Sequence, residues 1–306
     1  MNNLQLNINN YLDYCKHQKN LDCKTLKAYR IDLNQFYKIV SCTELVDITT
    51  DILENYVSTL NCTYKAKTVK RKLASTKSFF NYLEFKNIIQ YNPFDKMHIK
   101  IREPQTLPKT IPLDFIKTLL SKAYEQIELA PTKYKRRNAL RDVAVMELLF
   151  ATGLRISELC SLKSTDINLT TRNILIMGKG SKQRLIQIGN DEVLKALINY
   201  KEVFNSEIQS SGYFFANQTN TNLSDQSVRR MLIKYCNMCH IDYHITPHMF
   251  RHTFATCLLD ADVDIRYIQN MLGHSSISIT EIYTHVSMSK QLDILSSKHP
   301  RNNFSL

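Results

Sequence analysis

The chain has 306 residues, of which 43% are hydrophobic, so it can bury a core in each of two domains and is not a disordered chain. Lysine and arginine number 40 against 28 aspartates and glutamates, and this formal charge of +12 favours a polyanionic partner, nucleic acid before anionic membrane. No stretch has the pattern of a signal peptide or a membrane span, which favours a cytoplasmic protein with reduced cysteines.

Amphipathic helices are predicted for the first third of the chain. All six glycines lie at or after Gly153, so the residues before it need no positive φ. The first helix is predicted over residues 24–40 from one apolar face: Leu26, Tyr29, Leu33, Phe36, Tyr37 and Val40. A second helix is predicted over residues 47–60, with Thr50 or Asp51 as its N-cap.

A third helix, over residues 67–87, combines basic with aromatic side chains. A helix with one basic and one apolar face can lie along DNA phosphates while it packs on its neighbours. We therefore predict its basic residues as DNA contacts, although a solvated charged face explains the pattern equally well. These residues are Lys67, Lys70, Arg71, Lys72 and Lys77.

A domain boundary is predicted where prolines accumulate. The stretch "IREPQTLPKTIP", residues 101–112, holds three of the seven prolines, and each one removes a backbone donor and restrains the residue before it. No helix is expected to cross this stretch. We predict a helical domain over residues 1–100, a linker over residues 101–111 and a second domain over residues 112–306.

The second domain is predicted to be mostly helical with one β-hairpin. The hairpin consists of the β-prone runs "NILIM" and "RLIQI" on either side of "GKGSKQ". Gly153 is expected to end one helix, and "ISELCSL" to begin the next. The fold class is therefore mainly α with a small antiparallel β-sheet. The other helices are predicted over residues 113–127, 138–152, 191–204, 224–239, 247–260 and 265–272.

Two short motifs could bind phosphate through arginine. In "ITPHMFRHTFAT", Thr246 can cap a helix whose first turns carry His248 and Arg251 on one face, near an N-terminus that favours anions. A buried ion pair with a surface histidine explains the same residues. In "ATGLRISEL", Arg155 follows a glycine-terminated helix and either pairs internally with Glu158 or binds an incoming anion.

Two further motifs carry a lysine and a tyrosine. Lys179 lies between two glycines at the predicted hairpin tip, where an ordinary solvated lysine is the alternative. In "LGHSSISITEIYTH", His274 follows the end of a helix, and a capping-box spacing predicts a new helix that carries Tyr283. A buried core tyrosine is the usual alternative.

In this order along the chain, these residues resemble the active site of the tyrosine recombinase (phage integrase) family. The resemblance is greatest to the Xer-type recombinases. These recombinases also end in a short helix and an "HP" tail, here "SKHPRNNF". The resemblance rests on "ATGLRISEL", "GKGSKQR", "HMFRHTFAT" and "LGHSSISITEIYTH". It implies a two-domain clamp, in which a helical core-binding (SAM-like) domain precedes a catalytic domain that ends in a helix and tail.

The resemblance also implies metal-free strand exchange without a cofactor. In the implied reaction the hydroxyl of Tyr283 would attack a DNA phosphodiester and form a 3′-phosphotyrosine and a free 5′-hydroxyl, and another strand's 5′-hydroxyl would reverse the step. The implied roles are phosphate binding for Arg155 and Arg251, protonation of the leaving 5′-oxygen for Lys179, proton transfer for His248 and a phosphate contact for His274.

The implied partners are double-stranded recombination sites and further recombinase subunits. A homotetramer in the synaptic complex and pairing with a related recombinase both fit, and no membrane is expected. The final helix, over residues 288–298, is expected to dock on a neighbouring subunit. Dimer resolution, integration with excision, and inversion stay open as tasks. The alternatives are a type IB topoisomerase-like nicking-closing enzyme and a catalytically silent DNA-binding homologue.

The cysteines offer two competing interpretations. "CNMCH", residues 236–240, has the C-x-x-C-H spacing of haem attachment, which would need export from the cytoplasm. Cys236, Cys239, His244 and His248 could also be zinc ligands, but the gap between the pairs is far shorter than in zinc fingers. We favour an apolar helix for both cysteines and predict no metal.

Overall fold

The computed structural model describes residues 3–97, 99–102, 109–178, 183–217, 219–273 and 288–304, with the backbone alone for residues 288–291. The chain divides into two compact units, Met1–Thr106 and Leu107–Leu306. The division falls within the stretch 101–112, where the prolines accumulate.

Helices joined by short loops make up the described part of the first unit. Its helices are α1 (Leu4–His17), α2 (Cys23–Val40), α3 (Thr50–Thr63) and α4 (Ala66–Phe85), with short 3₁₀ helices at Leu45–Asp47 and Pro93–Lys96. The sequence did not predict α1, whose first residues mix polar and apolar side chains. Thr49, one residue before the two predicted candidates, is the N-cap of α3, and its side chain accepts from the backbone N–H of Ile52.

Aromatic side chains form the centre of the first unit's core. Phe36 contacts Tyr56 and Phe80 edge-on, with ring centroids 4.9 and 5.8 Å apart respectively. Such edge-to-face pairs add to the stabilisation that burial itself provides. Helix α4, which corresponds to the third predicted helix, contributes to this core because its buried residues Val69, Leu73 and Phe80 lie on one helical face.

The second unit surrounds one buried helix. Helix α6 (Lys133–Thr152) is buried on all sides from Asp142 to Thr152 and packs against α5, α8 and α11. A helix that is apolar all round belongs in the middle of a large core. The other helices are α5 (Leu113–Glu128), α7 (Ile156–Ser161), α8 (Asp191–Val203), α9 (Asn205–Ser211), α10 (Asp225–Met238), α11 (Pro247–Asp260), α12 (Ile265–Leu272) and α13 (Met288–Lys298).

A three-stranded antiparallel sheet, in the order β1-β2-β3, lies beside these helices. Its strands are β1 (Ile167–Asn168), β2 (Asn173–Met177) and β3 (Gln183–Gln187). The β2–β3 pair confirms the predicted hairpin. Strand β1 was not predicted, because a strand of two residues is too short to show a sequence pattern. The fold class, mainly α with a small antiparallel sheet, is thereby confirmed.

The C-terminal segment packs on its own unit. Leu295 of α13 is buried beside Gly189, where a Cβ would lie 2.8 Å from the Cβ of Leu295. Beyond α13, buried Arg301 pairs with buried Glu147 of α6, Nη2 to Oε1 at 3.1 Å. Helix α13 also contacts β3 of the same chain. Docking of this helix on a neighbouring subunit stays a prediction. Within the described part of the chain, no helix has both the length and the apolar character needed to cross a bilayer.

Candidate active site

Arg155 and Arg251 meet at the C-terminal end of α12. The Nη2 of Arg251 donates to the carbonyl oxygen of Leu272 at 2.6 Å, and its Nη1 donates to the carbonyl of Gly153 at 2.9 Å. The Nη2 of Arg155 donates at 3.4 Å to the carbonyl of Gly273, the next residue after Leu272. Two guanidiniums from distant parts of the sequence thus bind consecutive backbone carbonyls.

Two glycines make this meeting possible. Gly153 ends α6 with φ +60°, and Gly273 ends α12 with φ +64°, a left-handed conformation that glycine adopts without steric cost. A Cβ on Gly153 would lie 2.7 Å from Cδ1 of Phe254, so space as well as conformation requires glycine there. The predicted helix stop at Gly153 is confirmed, and Gly273 directly follows the helix predicted over residues 265–272.

Arg251 carries a buried positive charge. It is 5% exposed, and burial together with the nearby charge of Arg155 lowers its pKa to about 10. The guanidinium therefore stays protonated at neutral pH. Its two carbonyl partners replace part of the lost hydration, and a guanidinium has further N–H donors with which to bind an anion.

Glu158 fixes the orientation of Arg155. Its Oε2 accepts from the backbone N–H of Arg155 at 2.9 Å, and its Oε1 accepts from Nη1 of Arg155 at 2.7 Å. Burial alone would raise the pKa of Glu158, but hydrogen bonds and charge from Arg184, then from Arg155, outweigh burial and lower it. The internal ion pair considered for Arg155 is present, and Arg155 also lies beside Arg251.

Arg184 belongs to the same cluster of side chains, and it was not predicted from the sequence. Its Nη1 and Nη2 donate to the two carboxylate oxygens of Glu158 at 3.0 and 2.7 Å, and its Nε donates to the carbonyl of Met271 at 2.8 Å. The motif "GKGSKQR" ends on this residue. Its partners lie far away in sequence, so only the fold could identify them.

His248 lies in the first turn of α11, after Pro247, and is exposed. Partial burial of the ring lowers its pKa, and the positive charges of Arg229, His252, Arg251 and Arg155 lower it further. The imidazole is therefore neutral at pH 7 and able to accept a proton.

Thr246 occupies the predicted N-cap position of α11, but within the described residues its side chain makes no capping hydrogen bond. Pro247 offers no N–H, and the backbone N–H of Met249 already donates to the carbonyl of Thr246 at 2.9 Å.

Three of the predicted catalytic residues, Lys179, His274 and Tyr283, lie outside the described residues. Lys179 falls in sequence between β2 and β3, and His274 directly follows Gly273. Their roles therefore stay predictions. The other three predicted catalytic residues, Arg155, His248 and Arg251, lie within the described residues.

The basic residues of α4 do not share one environment. Lys67 and Lys70 are exposed, Lys77 is half-buried, and half-exposed Arg71 pairs with Asp32 through one nitrogen. Lys72 is only 2% exposed.

The Nζ of Lys72 lies 3.2 Å from Oδ1 of Asp32 and 4.8 Å from the ring centre of Tyr64. Because its charge is buried and paired, Lys72 cannot contact a phosphate. We remove it from the predicted DNA contacts.

Only Cys236 lies within helix α10, and Cys239 is the C-cap residue that follows it, so one helix does not contain both cysteines as predicted. Cys236 is buried in the second unit's core, and Cys239 packs against that core. Across the residues that the structure describes, no three His, Cys, Asp or Glu side chains are placed to hold one metal ion, so Cys236, Cys239, His244 and His248 do not form the zinc site considered above.

Comparison with known proteins identifies the family. Residues 117–290 match the phage integrase family, and residues 8–87 match the phage integrase N-terminal SAM-like domain. A tyrosine recombinase of Agathobacter rectalis is 59% identical, with 99% of each chain covered. Tyrosine recombinase XerC of Thermodesulfovibrio yellowstonii is 34% identical, with 98% of each covered.

Among solved structures, a lambda integrase tetramer bound to a Holliday junction has the same fold. Its TM-score is 0.70 at 18% identity, over 94% of this chain and 81% of that one. The matched family model spans more than half of the sequence, and the relatives match it from end to end. The chain therefore belongs to the phage integrase family of tyrosine recombinases.

Proposed function

We propose that the protein is a site-specific DNA recombinase that cuts and rejoins DNA strands through a 3′-phosphotyrosine intermediate. The end-to-end similarity to tyrosine recombinases supports this function. The observation that carries it is the meeting of Arg155 and Arg251 at the end of α12, because both guanidiniums are fixed by hydrogen bonds before any DNA arrives. A preorganised pair of cations is suited to a phosphate that gains negative charge in the transition state.

The arginines act on the phosphate oxygens. Attack on a phosphodiester brings additional negative charge onto its non-bridging oxygens, and planar guanidinium donors match that geometry. Arg251 remains charged because its pKa of about 10 lies well above neutral pH. Loss of one such donor typically costs about 2.7–4 kcal/mol in the barrier.

His248 acts on the proton of the nucleophile. A free tyrosine has a pKa of about 10 and attacks poorly at neutral pH unless a base accepts its proton. The lowered pKa of His248 keeps the imidazole neutral and ready for that role. In the reverse step the resulting imidazolium returns the proton to the phenolate of Tyr283 as it leaves.

Lys179 and His274 complete the proposed site. Lys179 protonates the leaving 5′-oxygen, and His274 donates to a phosphate oxygen. Both proposals rest on the sequence motifs and on the neighbouring described residues, because Gly273 and the β2–β3 pair adjoin them in sequence.

The partners we propose are duplex recombination sites and other recombinase subunits. Lys67, Lys70, Arg71 and Lys77 of α4 supply positive charge for the DNA backbone. The likeness in fold to a lambda integrase tetramer on a Holliday junction favours a tetramer in the synaptic complex, formed by this chain alone or with a related recombinase. We place the reaction in the cytoplasm, because its substrate is DNA.

A nicked suicide substrate tests the function. The nick lets the short strand beyond the cleavage site diffuse away, so the covalent protein–DNA adduct accumulates and a denaturing gel shows it. We expect an adduct with the wild type and with Tyr213→Phe, whose ring also belongs to the second unit, and none with Tyr283→Phe, although Tyr283→Phe still binds DNA. An adduct with Tyr283→Phe would refute the proposal.

The suicide substrate and a plasmid assay together separate the alternative functions. A catalytically silent DNA-binding protein would form no adduct even as the wild type. A topoisomerase-like enzyme would form the adduct and relax plasmids without exchanging strands between two sites. We expect recombinant products from a plasmid with two target sites.

A further inference from the structure

Arg184 connects three elements of the second unit, β3, α7 and α12, through one buried guanidinium. It lies on β3 opposite Ile176, and its side chain is 8% exposed. Its two terminal nitrogens donate to the two oxygens of Glu158, and its Nε donates to the carbonyl of Met271. Each of its three nitrogens therefore donates to a group of the protein itself.

Each partner of Arg184 belongs to the support of another arginine. Glu158 holds Arg155 through two hydrogen bonds. Met271 directly precedes Leu272, whose carbonyl accepts from Arg251. One side chain on the sheet thus fixes the residue that orients Arg155 and the backbone that orients Arg251.

The end of α12 also packs directly on Arg184. A Cβ added to Gly273 would lie 3.0 Å from Nη1 and 3.1 Å from Cδ of Arg184. The guanidinium therefore fills the space beside Gly273. His274 follows at the next position, so the segment towards Tyr283 begins at this contact.

The charges of the cluster explain why a second arginine is needed. If Glu158 paired with Arg155 alone, the carboxylate would neutralise a charge that the phosphate requires. With Arg184 present, the cluster holds three guanidiniums, Arg155, Arg184 and Arg251, against one buried carboxylate. Two positive charges remain uncompensated, which suits a phosphodiester that approaches two negative charges in the transition state.

We propose that Arg184 is a positioning residue for strand cleavage: it holds Glu158 and the end of α12 so that Arg155 and Arg251 present two uncompensated charges to the scissile phosphate. This inference rests on the proposed function. It differs from a merely structural role because it predicts a defect that depends on the charge of the substrate phosphate.

The test compares Arg184→Gln with the wild type in single-turnover cleavage at saturating suicide DNA. One substrate has an ordinary scissile phosphodiester. The other has a methylphosphonate, in which a methyl group replaces one non-bridging oxygen and removes one negative charge. A denaturing gel measures the cleaved strand, and a binding assay gives Kd. Arg137→Gln is the matched control, because Arg137 is a half-buried arginine of α6 paired with Glu207.

We expect Arg184→Gln to cleave the phosphodiester about 10²-fold more slowly, with DNA affinity within about twofold of the wild type, since one stabilising charge is lost at the transition state only. On the methylphosphonate the deficit should shrink to about fivefold or less, because less charge needs compensation. Arg137→Gln should match the wild type on both substrates. If Arg184→Gln does not fold, Arg184→Lys, which keeps a charge but not the fork, carries the same comparison.

Two results would overturn the inference. Cleavage of the phosphodiester by Arg184→Gln within about threefold of the wild type would show that the positioning is unnecessary, since loss of a stabilising donor costs about 10²-fold or more. An equal loss on both substrates would show a structural role only. Failure of the wild type to cleave the phosphodiester would instead refute the proposed function, so the two failures are distinguishable.

Discussion

Arg251 donates a 2.6 Å hydrogen bond to the carbonyl of Leu272, the last residue of α12. Because Gly273 and His274 follow at once, this bond fixes the backbone from which the chain continues towards Tyr283. The buried guanidinium therefore has two effects: it supplies charge for the phosphate, and it holds the end of α12 in place.

The substitution Arg251→Lys should separate binding from chemistry. Lysine keeps a charge but cannot donate to Gly153, Leu272 and a phosphate in the plane that a guanidinium provides. We expect single-turnover cleavage to fall about 10²–10³-fold, while DNA affinity changes little. Lys195→Gln, which removes an exposed charge from α8, is the control. An equal effect of both substitutions on cleavage would contradict the assignment.

The pKa of His248 should respond to Arg229. Partial burial lowers this pKa, and among the neighbouring charges Arg229 contributes most. NMR titration of the free protein should therefore give a pKa below 6.5, with the neutral form dominant at pH 7. Arg229→Gln removes a repelling charge and should raise the pKa. A pKa that stays unchanged or falls in this variant would show that the surroundings of His248 differ from those described.

Local sequence patterns predicted most of the helices but not the contacts between them. Gly153 and Gly273 could be identified as helix ends because the left-handed conformation depends on the residue itself. The role of Arg184 could not be identified, because Glu158 and Met271 become its neighbours only when β3 packs beside α7 and α12.

The burial of Lys72 could have been predicted from the helical period of α4. It lies three residues after Val69 and four before Thr76, on the buried stripe of α4, so the helical period already placed it inside. Its charge suggested the surface instead. The partner that permits its burial, Asp32, belongs to α2, and no pattern within α4 identifies it.

Lys67 and Lys72 should differ in their effect on DNA binding. Exposed Lys67 can contact a phosphate, so Lys67→Gln should weaken binding and reduce the slope of log affinity against log salt by about 1. Lys72→Gln leaves Asp32 without a buried cation, so it should lower thermal stability and leave that slope unchanged. A reduced slope in Lys72→Gln would contradict the buried position.

Acid should weaken the packing of the C-terminal tail through His299. Burial lowers the pKa of His299 to about 4, its Nε2 lies 3.0 Å from the carbonyl of Phe150, and its Nδ1 accepts from the backbone N–H of Arg301. Below pH 6.5 the unfolded chain takes up a proton that the folded chain refuses. The free energy of unfolding should therefore fall by about 3 kcal/mol between pH 7 and pH 4 from this residue alone.

His299→Gln removes this titration. The variant should be less stable at pH 7 but should lose about 3 kcal/mol less between pH 7 and pH 4 in chemical denaturation. Parallel pH dependences of the two proteins would show that His299 does not stay neutral in the fold.

Mass spectrometry of the protein–DNA adduct tests the central claim most directly. The adduct from a suicide substrate is digested with protease and nuclease, and the peptide that carries the nucleotide remnant is sequenced. We predict one modified residue, Tyr283, linked to a 3′-phosphate, with the adduct lost in Arg155→Ala and Arg251→Ala. A remnant on any other residue, or a 5′-phosphate linkage, would contradict the account.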